Sequence, residues 1–66
     1  MAQYWVVVDG RQVGLPSFDE EEAKQLLRDH LIAEPSLEGF IEVYDGSNPM
    51  TKMSWDRAAS KWVTSS

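Results

Sequence analysis

Residues 4–8 read YWVVV and contain only aromatic and β-branched side chains before the chain reaches Asp9-Gly10. A strand without polar side chains usually needs cover on both faces of its sheet, because a half-exposed strand alternates polar and apolar residues. A chain of 66 residues forms one small domain with a single core. Since the rest of the sequence contains one clear helical pattern, the second face of this strand needs another source of cover.

Residues 17–32, SFDEEEAKQLLRDHLI, carry an apolar stripe with the period of an α-helix. Pro35 ends this helix, since the residue before a proline is displaced from the α region. The stripe predicts that one face of the helix packs against the rest of the domain. Its members, at spacings i, i+3, i+4, i+7 and i+8, are Ala23, Leu26, Leu27, His30 and Leu31.

The helix begins near Asp19, which can serve as N-cap with Glu22 at position N3. Ser17 with Glu20 offers the same capping box two residues earlier, so both starts remain open. Either start places the acidic residues 19–22 at the positive end of the helix dipole, which stabilises each charge by about 0.3–1 kcal/mol. The acidic cluster therefore has a structural explanation that does not require a binding site.

A hairpin is predicted to precede the helix, because Asp9-Gly10 is a strong two-residue turn signal between apolar segments. The turn pairs Val6 with Val13, Trp5 with Gly14 and Tyr4 with Leu15, so that the Trp5 indole shields the cross-strand glycine. One face of the hairpin is expected to meet the helix and consists of Tyr4, Val6, Val8, Val13 and Leu15. The opposite face consists of Trp5, Val7, Gln12 and Gly14.

A three-strand meander is predicted after the helix. Its first turn lies at residues 45–49 and sets Glu42 opposite Lys52, and its second turn at residues 57–60 sets Asp56 opposite Lys61. Both turns were placed without regard to charge, yet both registers match an acid to a base, which stabilises cross-strand neighbours. The same registers pair Ile41 with Met53, Val43 with Thr51 and Trp55 with Trp62, and direct Ile41, Val43, Met53, Trp55 and Trp62 towards the helix.

These elements predict an α+β domain covering residues 1–66, with a mainly antiparallel sheet of four or five strands. One helix packs on one face, and the element order is β-β-α-β-β-β. The predicted core joins both hairpins to the helix and consists of Val6, Leu27, Leu31, Ile41 and Trp55.

Catalytic and metal-binding patterns are absent from the sequence. The chain has no cysteine and a single histidine, His30, whose place on the apolar stripe predicts a packed, hydrogen-bonded side chain. The serines and threonines lack a general base at a suggestive spacing, and the glycines fit no phosphate-binding loop. We therefore predict no catalytic residue, cofactor or metal site, and a protein that is not an enzyme.

The charge of the chain narrows the class of partner. A formal net charge of −5 disfavours nucleic acid, which needs clustered cations, and the exposed aromatic residues neighbour acids rather than Lys or Arg. The sequence has no signal-peptide pattern and no apolar run near the ~18 residues needed to span a bilayer. We expect a cytoplasmic protein without membrane contact, although a lack of cysteine is compatible with any compartment.

The predicted sheet leaves one face uncovered, with polar residues around several large apolar ones, which suits a contact surface. We predict protein-binding residues at Trp5, Val7, Phe40 and Tyr44, and a partner that is another protein or a second copy in a homodimer. The leading hypothesis is a small protein-interaction module that self-associates through this face. The alternatives are an acidic mimic of nucleic acid that binds a basic protein groove and a catalytic subunit completed at a dimer interface.

Overall fold

The computed structural model describes residues 2–46 and 50–65. In this part of the chain one helix packs on one face of a five-stranded antiparallel sheet of order β2-β1-β3-β4-β5, which confirms the predicted α+β fold. The elements are β1 (Ala2–Val8), β2 (Arg11–Gln12), α1 (Glu20–Ala33), β3 (Gly39–Asp45), β4 (Thr51–Asp56) and β5 (Lys61–Ser65).

Strand β1 contains the apolar segment and is flanked by other backbone along both edges. It pairs with β3 over its whole length, and Val6 lies opposite Ile41. On its other edge it pairs with β2 near the turn and with Ser17 further back. A strand held on both edges suits β-branched and aromatic side chains, because these pack well on a pleated surface.

The first hairpin follows the predicted register only close to its turn. Val7 pairs with Gln12, and the Val13 amide donates to the Val6 carbonyl at 2.8 Å. The chain then leaves the ladder at Gly14, whose φ of +68° suits glycine, and Pro16 follows two residues later.

Ser17 therefore takes the place beside Tyr4 that the sequence assigned to Leu15, through two backbone hydrogen bonds of 2.7 and 2.9 Å. The predicted inward position of Leu15 is wrong, since this side chain is 89% exposed. The predicted pairing of Trp5 with Gly14 is also wrong. A Cβ placed on Gly14 would lie 3.4 Å from the Leu26 side chain, so this glycine lies against the helix.

Helix α1 begins at the predicted N-cap. The Asp19 carboxylate accepts from the Glu21 amide at 3.0 Å, and the Ser17 hydroxyl accepts from the Asp19 amide at 3.0 Å. The helix ends at Ala33, two residues before Pro35, as the sequence predicts.

The core lies between α1 and the two longest strands, β1 and β3. Val6, Leu27, Leu31 and Ile41 are buried together as predicted, whereas Trp55 is half-buried at the margin of this cluster. Gly39 allows the close approach, because a Cβ there would lie 2.6 Å from the Leu27 side chain and 2.9 Å from the Val7 carbonyl oxygen. The other buried members of the core are Val8, Ala23 and Met53.

The meander has the predicted registers. Glu42 lies opposite Lys52 and Asp56 opposite Lys61, with Ile41–Met53, Val43–Thr51 and Trp55–Trp62 in the same ladders. The Asp56 carboxylate accepts from the amides of Ala58 and Ala59, which shapes the turn between β4 and β5. Most of the predicted loop at residues 45–49 lies outside the described residues.

Candidate interaction face of the sheet

The face of the sheet opposite α1, named here the open face, is defined by the cross-strand registers. Residues directly opposite each other in paired strands share a face, and residues two apart along a strand share it too. The described strands place on the open face Gln12 of β2; Gln3, Trp5 and Val7 of β1; Phe40, Glu42 and Tyr44 of β3; Lys52, Ser54 and Asp56 of β4; and Lys61, Val63 and Ser65 of β5.

The four residues predicted as protein-binding lie on neighbouring strands of this face. Val7 lies directly opposite Phe40, and the rings of Trp5 and Tyr44 meet edge to face with centroids 6.0 Å apart. Their clustering depends on β1 and β3 being adjacent, which the sequence does not reveal. The structure thus brings together Trp5, Val7, Phe40 and Tyr44, named here the aromatic patch.

The members of the aromatic patch partly shield one another from solvent. Trp5, Val7 and Phe40 are half-buried, whereas Tyr44 is 41% exposed. The Lys52 ammonium lies 4.7 Å from the centroid of the Phe40 ring, in the range of a cation–π contact, so the expectation that the exposed aromatic residues neighbour acids rather than Lys or Arg is wrong for Phe40. Neighbouring side chains on the same face therefore supply part of the cover that residues 4–8 need.

The Trp5 indole nitrogen is out of reach of water and has no hydrogen-bond partner among residues 2–46 and 50–65. A buried donor left without an acceptor costs about 1–3 kcal/mol. Glu42 is the cross-strand neighbour of Trp5, but its carboxylate accepts instead from the Tyr44 hydroxyl at 3.4 Å. Within the described part of the chain, this donor of the aromatic patch is therefore unsatisfied.

The open face carries no net charge in its described strands. Its two carboxylates, Glu42 and Asp56, are balanced by the ammonium groups of Lys52 and Lys61. The whole chain carries a net charge of −5, so the excess acid lies elsewhere. Although Glu42 and Lys52 are opposite each other, the ion pairs formed by described residues all involve Lys24.

The acidic cluster at residues 19–22 is used within the helix. Asp19 caps the first turn, and the Lys24 ammonium lies 3.3 Å from a carboxylate oxygen of Glu20 and 4.0 Å from one of Glu21. These contacts agree with the structural explanation that the sequence predicts. The cluster is also separated from the open face, because α1 lies on the other side of the sheet.

Two cations of α1 extend the cover of the helix over β4 and β5, a feature missed from the sequence. Lys24 lies above the ring of Trp62, and Arg28 lies 5.2 Å from the ring of Trp55. The two indoles meet edge to face, with centroids 5.4 Å apart. The four-residue spacing of Lys24 and Arg28 signals a shared helix face, but it does not identify the strands beneath.

Three of the most exposed apolar side chains lie outside the open face, and the sequence did not predict their exposure. Leu15 and Phe18, the latter 65% exposed, belong to the segment between β2 and α1, and Ile32 in α1 is 71% exposed. Ile32 lies beyond the apolar stripe, which is the signal that marks it as solvent-facing. These residues are isolated in the sequence pattern, and scattered exposed apolar residues are common on monomeric proteins.

His30 and Tyr4 are two titratable side chains that are partly buried in the domain. His30 is half-buried, and its Nδ1 lies 3.0 Å from the Leu26 carbonyl oxygen, which can only accept, so this nitrogen carries the hydrogen. Burial raises the pKa of the Tyr4 hydroxyl, with a smaller contribution from Glu20, so this phenol stays neutral at physiological pH. Among the described residues no three His, Asp or Glu side chains lie together as a metal site would require.

Comparison with models of protein families, with curated proteins and with solved structures finds no match for this chain. The described part of the chain also contains no helix that is long and apolar enough to cross a membrane.

Proposed function

We propose that this protein is a non-enzymatic interaction module that associates with a second copy of itself through the open face. The observation that carries the proposal is the charge of that face, which is zero over its described strands in a chain of net charge −5. A face without net charge does not repel a second copy of itself, and aromatic residues are enriched at the centre of protein interfaces.

The distribution of charge permits two open faces to meet. Stacked sheets pack about 10 Å apart, so α1 and its acidic first turn lie at the outer surfaces of such a pair. At physiological ionic strength the Debye length is about 8 Å, and repulsion between the two helices is therefore largely screened. No ion pair joins Glu42 to Lys52 within one chain, so each can exchange its weak contact, with Tyr44 or with Phe40, for the opposite charge of the second copy.

The aromatic patch supplies the apolar centre of the contact. Trp5 and Tyr44 are residue types enriched at interface centres, and a two-fold axis through the open face brings the patches of two copies together. The interface is modest, about 1,200 Å² or less in total, so we expect micromolar, concentration-dependent association.

The nucleic-acid mimic receives less support than the interaction module. A mimic needs carboxylates in a row on one accessible surface, spaced like phosphates. The open face has two carboxylates, Glu42 and Asp56, and each lies opposite a lysine. Asp19 and Glu20 in the acidic cluster are occupied by a helix cap and an ion pair.

Sedimentation equilibrium across micromolar to millimolar concentration tests the proposal with Trp5→Lys. We expect this variant to keep the helix content of the wild type and to halve the mass of the associated species. Ile32→Lys is the matched control, since it makes the same kind of change at an exposed site on α1, and its association should equal that of the wild type. A wild-type chain that is monomeric at millimolar concentration, or a Trp5→Lys variant that associates normally, contradicts the proposal.

A further inference from the structure

The two edges of the sheet are protected to different extents. At one edge β2 is only two residues long, and β1 behind it is bonded to the segment that leads into α1. Val13 donates to Val6, and Ser17 exchanges two backbone hydrogen bonds with Tyr4. This edge therefore offers little free backbone to another strand.

The opposite edge is formed by β5 and is open along its length. Strand β5 pairs with β4 through five consecutive residue pairs without a bulge, and no other backbone hydrogen bond from residues 2–46 and 50–65 reaches it. It contains no proline and a single charged residue, Lys61, and all its side chains except Trp62 are exposed. Regular and weakly charged edges of this kind are templates for pairing with a further strand.

We propose that β5 pairs antiparallel with β5 of a second copy, about a two-fold axis at Val63. This register sets Val63 opposite its own copy, Trp62 opposite Thr64, and Lys61 opposite Ser65. Pairs of β-branched residues and of an aromatic with a β-branched residue stabilise neighbouring strands. The two Lys61 side chains lie at opposite ends of the pairing, so no like charges are opposed.

The open face of one chain is small, and self-pairing at β5 enlarges the surface available for a face-to-face contact. This consequence rests on the proposed function. The axis is perpendicular to the sheet, so both open faces point the same way in one continuous sheet with twice the five strands of a single chain. The contact through the open face uses an axis parallel to the sheet and midway between the two facing sheets. Two perpendicular two-fold axes that intersect give a closed tetramer, in which edge-paired dimers face each other across about double the area.

Disulfide crosslinking tests the edge pairing directly, because the chain has no cysteine of its own. Antiparallel neighbours have Cα atoms about 4.5–5.5 Å apart, within the range that a disulfide spans. Val63→Cys should therefore form a covalent dimer under mild oxidation, and the change is small at a side chain that is 38% exposed. In the proposed register Lys61 lies roughly 14 Å from its own copy, beyond that range.

The controls fix the register and separate the edge contact from the open-face contact. Lys61→Cys and Ser65→Cys should each crosslink poorly alone and well when mixed. Val63→Cys should crosslink equally well when combined with Trp5→Lys, because the edge does not depend on the aromatic patch. If it crosslinks only with Trp5 intact, the contact belongs to the open face and the edge proposal is wrong, while the proposed function stands.

Two further outcomes overturn the pairing at β5. Crosslinking of Lys61→Cys alone as fast as Val63→Cys would indicate random collision. The second is a chain that does not crosslink and whose β5 amides become protected from hydrogen exchange only when another protein is added. That result would assign the edge to a strand of a different partner.

Discussion

The two faces of the sheet are built from the same strands, yet they hold their large side chains in different ways. On the face that α1 covers, Leu27 and Ile41 are completely buried, and Arg28 and Lys24 lie over the tryptophans at its margin. On the open face the side chains shield one another and remain half-buried or exposed. Helix cover therefore decides which side chains are fully buried, and the face without it is the one we propose for association.

The sharpest test of this difference is a pair of truncations on opposite faces. Leu27→Ala should lower the free energy of unfolding by about 2–5 kcal/mol, because it leaves a cavity at a fully buried site. Val7→Ala on the open face should cost only about 1 kcal/mol, since Val7 is half-buried. Urea denaturation followed by circular dichroism measures both values. Similar losses in the two variants would mean that α1 is not docked as described.

Gly39 tests how closely the covered face is packed. An added methyl group would lie 2.9 Å from the Val7 carbonyl oxygen and 2.6 Å from Leu27. Because backbone cannot move aside as a side chain can, we expect Gly39→Ala to lower the free energy of unfolding by about 1–3 kcal/mol. Gly10→Ala is not a suitable control, since φ there is +79°, so Ser54→Ala on the open face is preferred and should be nearly neutral. A stable Gly39→Ala variant would contradict the close packing of α1 on β3.

The sequence predicts which face of the sheet the side chains of β3 and β4 occupy. It does not predict which strands lie next to each other in the sheet. Alternation along β3 and β4, with Glu42 matched to Lys52, gave a register that the structure confirms. That pattern is local to one hairpin. The adjacency of β1 and β3 joins residues distant in the chain, and no local pattern in either strand records it. The placing of Phe40 beside Val7 therefore became known only from the structure.

The failure of the first hairpin has a local physical cause. A two-residue turn alone would keep the two strands paired in the same register along their whole length. Here Gly14 adopts a left-handed conformation and Pro16 lacks an amide hydrogen, so the pairing stops. Together they redirect the chain, so that Ser17 bonds to β1 and Leu15 points to solvent. Both residues were visible in the sequence, and their effect on the ladder outweighed the apolar pattern that placed Leu15 inside.

The cap of α1 tests whether the covering element is held by its first turn. Asp19→Ala removes the acceptor of the Glu21 amide and should lower the free energy of unfolding by about 1 kcal/mol. Asp19→Asn is the control, because its side-chain oxygen can accept the same hydrogen bond. The difference between the two variants in thermal denaturation isolates the cap from the lost charge. Equal stability of Asp19→Ala and the wild type would show that packing alone fixes the start of the helix.

The smallest effect on stability is expected on the open face, where charge is argued to govern association. Lys52→Glu turns a neutral face into one of net charge −2, which opposes the approach of a second copy, and it removes the cation above Phe40. The substitution places a carboxylate opposite Glu42, but Lys52 is exposed, so the free energy of unfolding should fall by only roughly a few tenths of a kcal/mol. Self-association measured by sedimentation should weaken several-fold at low salt and recover in part as added salt screens the charge. Arg11→Glu makes the same reversal at the far edge of the other face and should leave association nearly unchanged. If both reversals weaken association equally, the net charge of the whole chain governs association, and the claim that the charge of the open face governs it is contradicted.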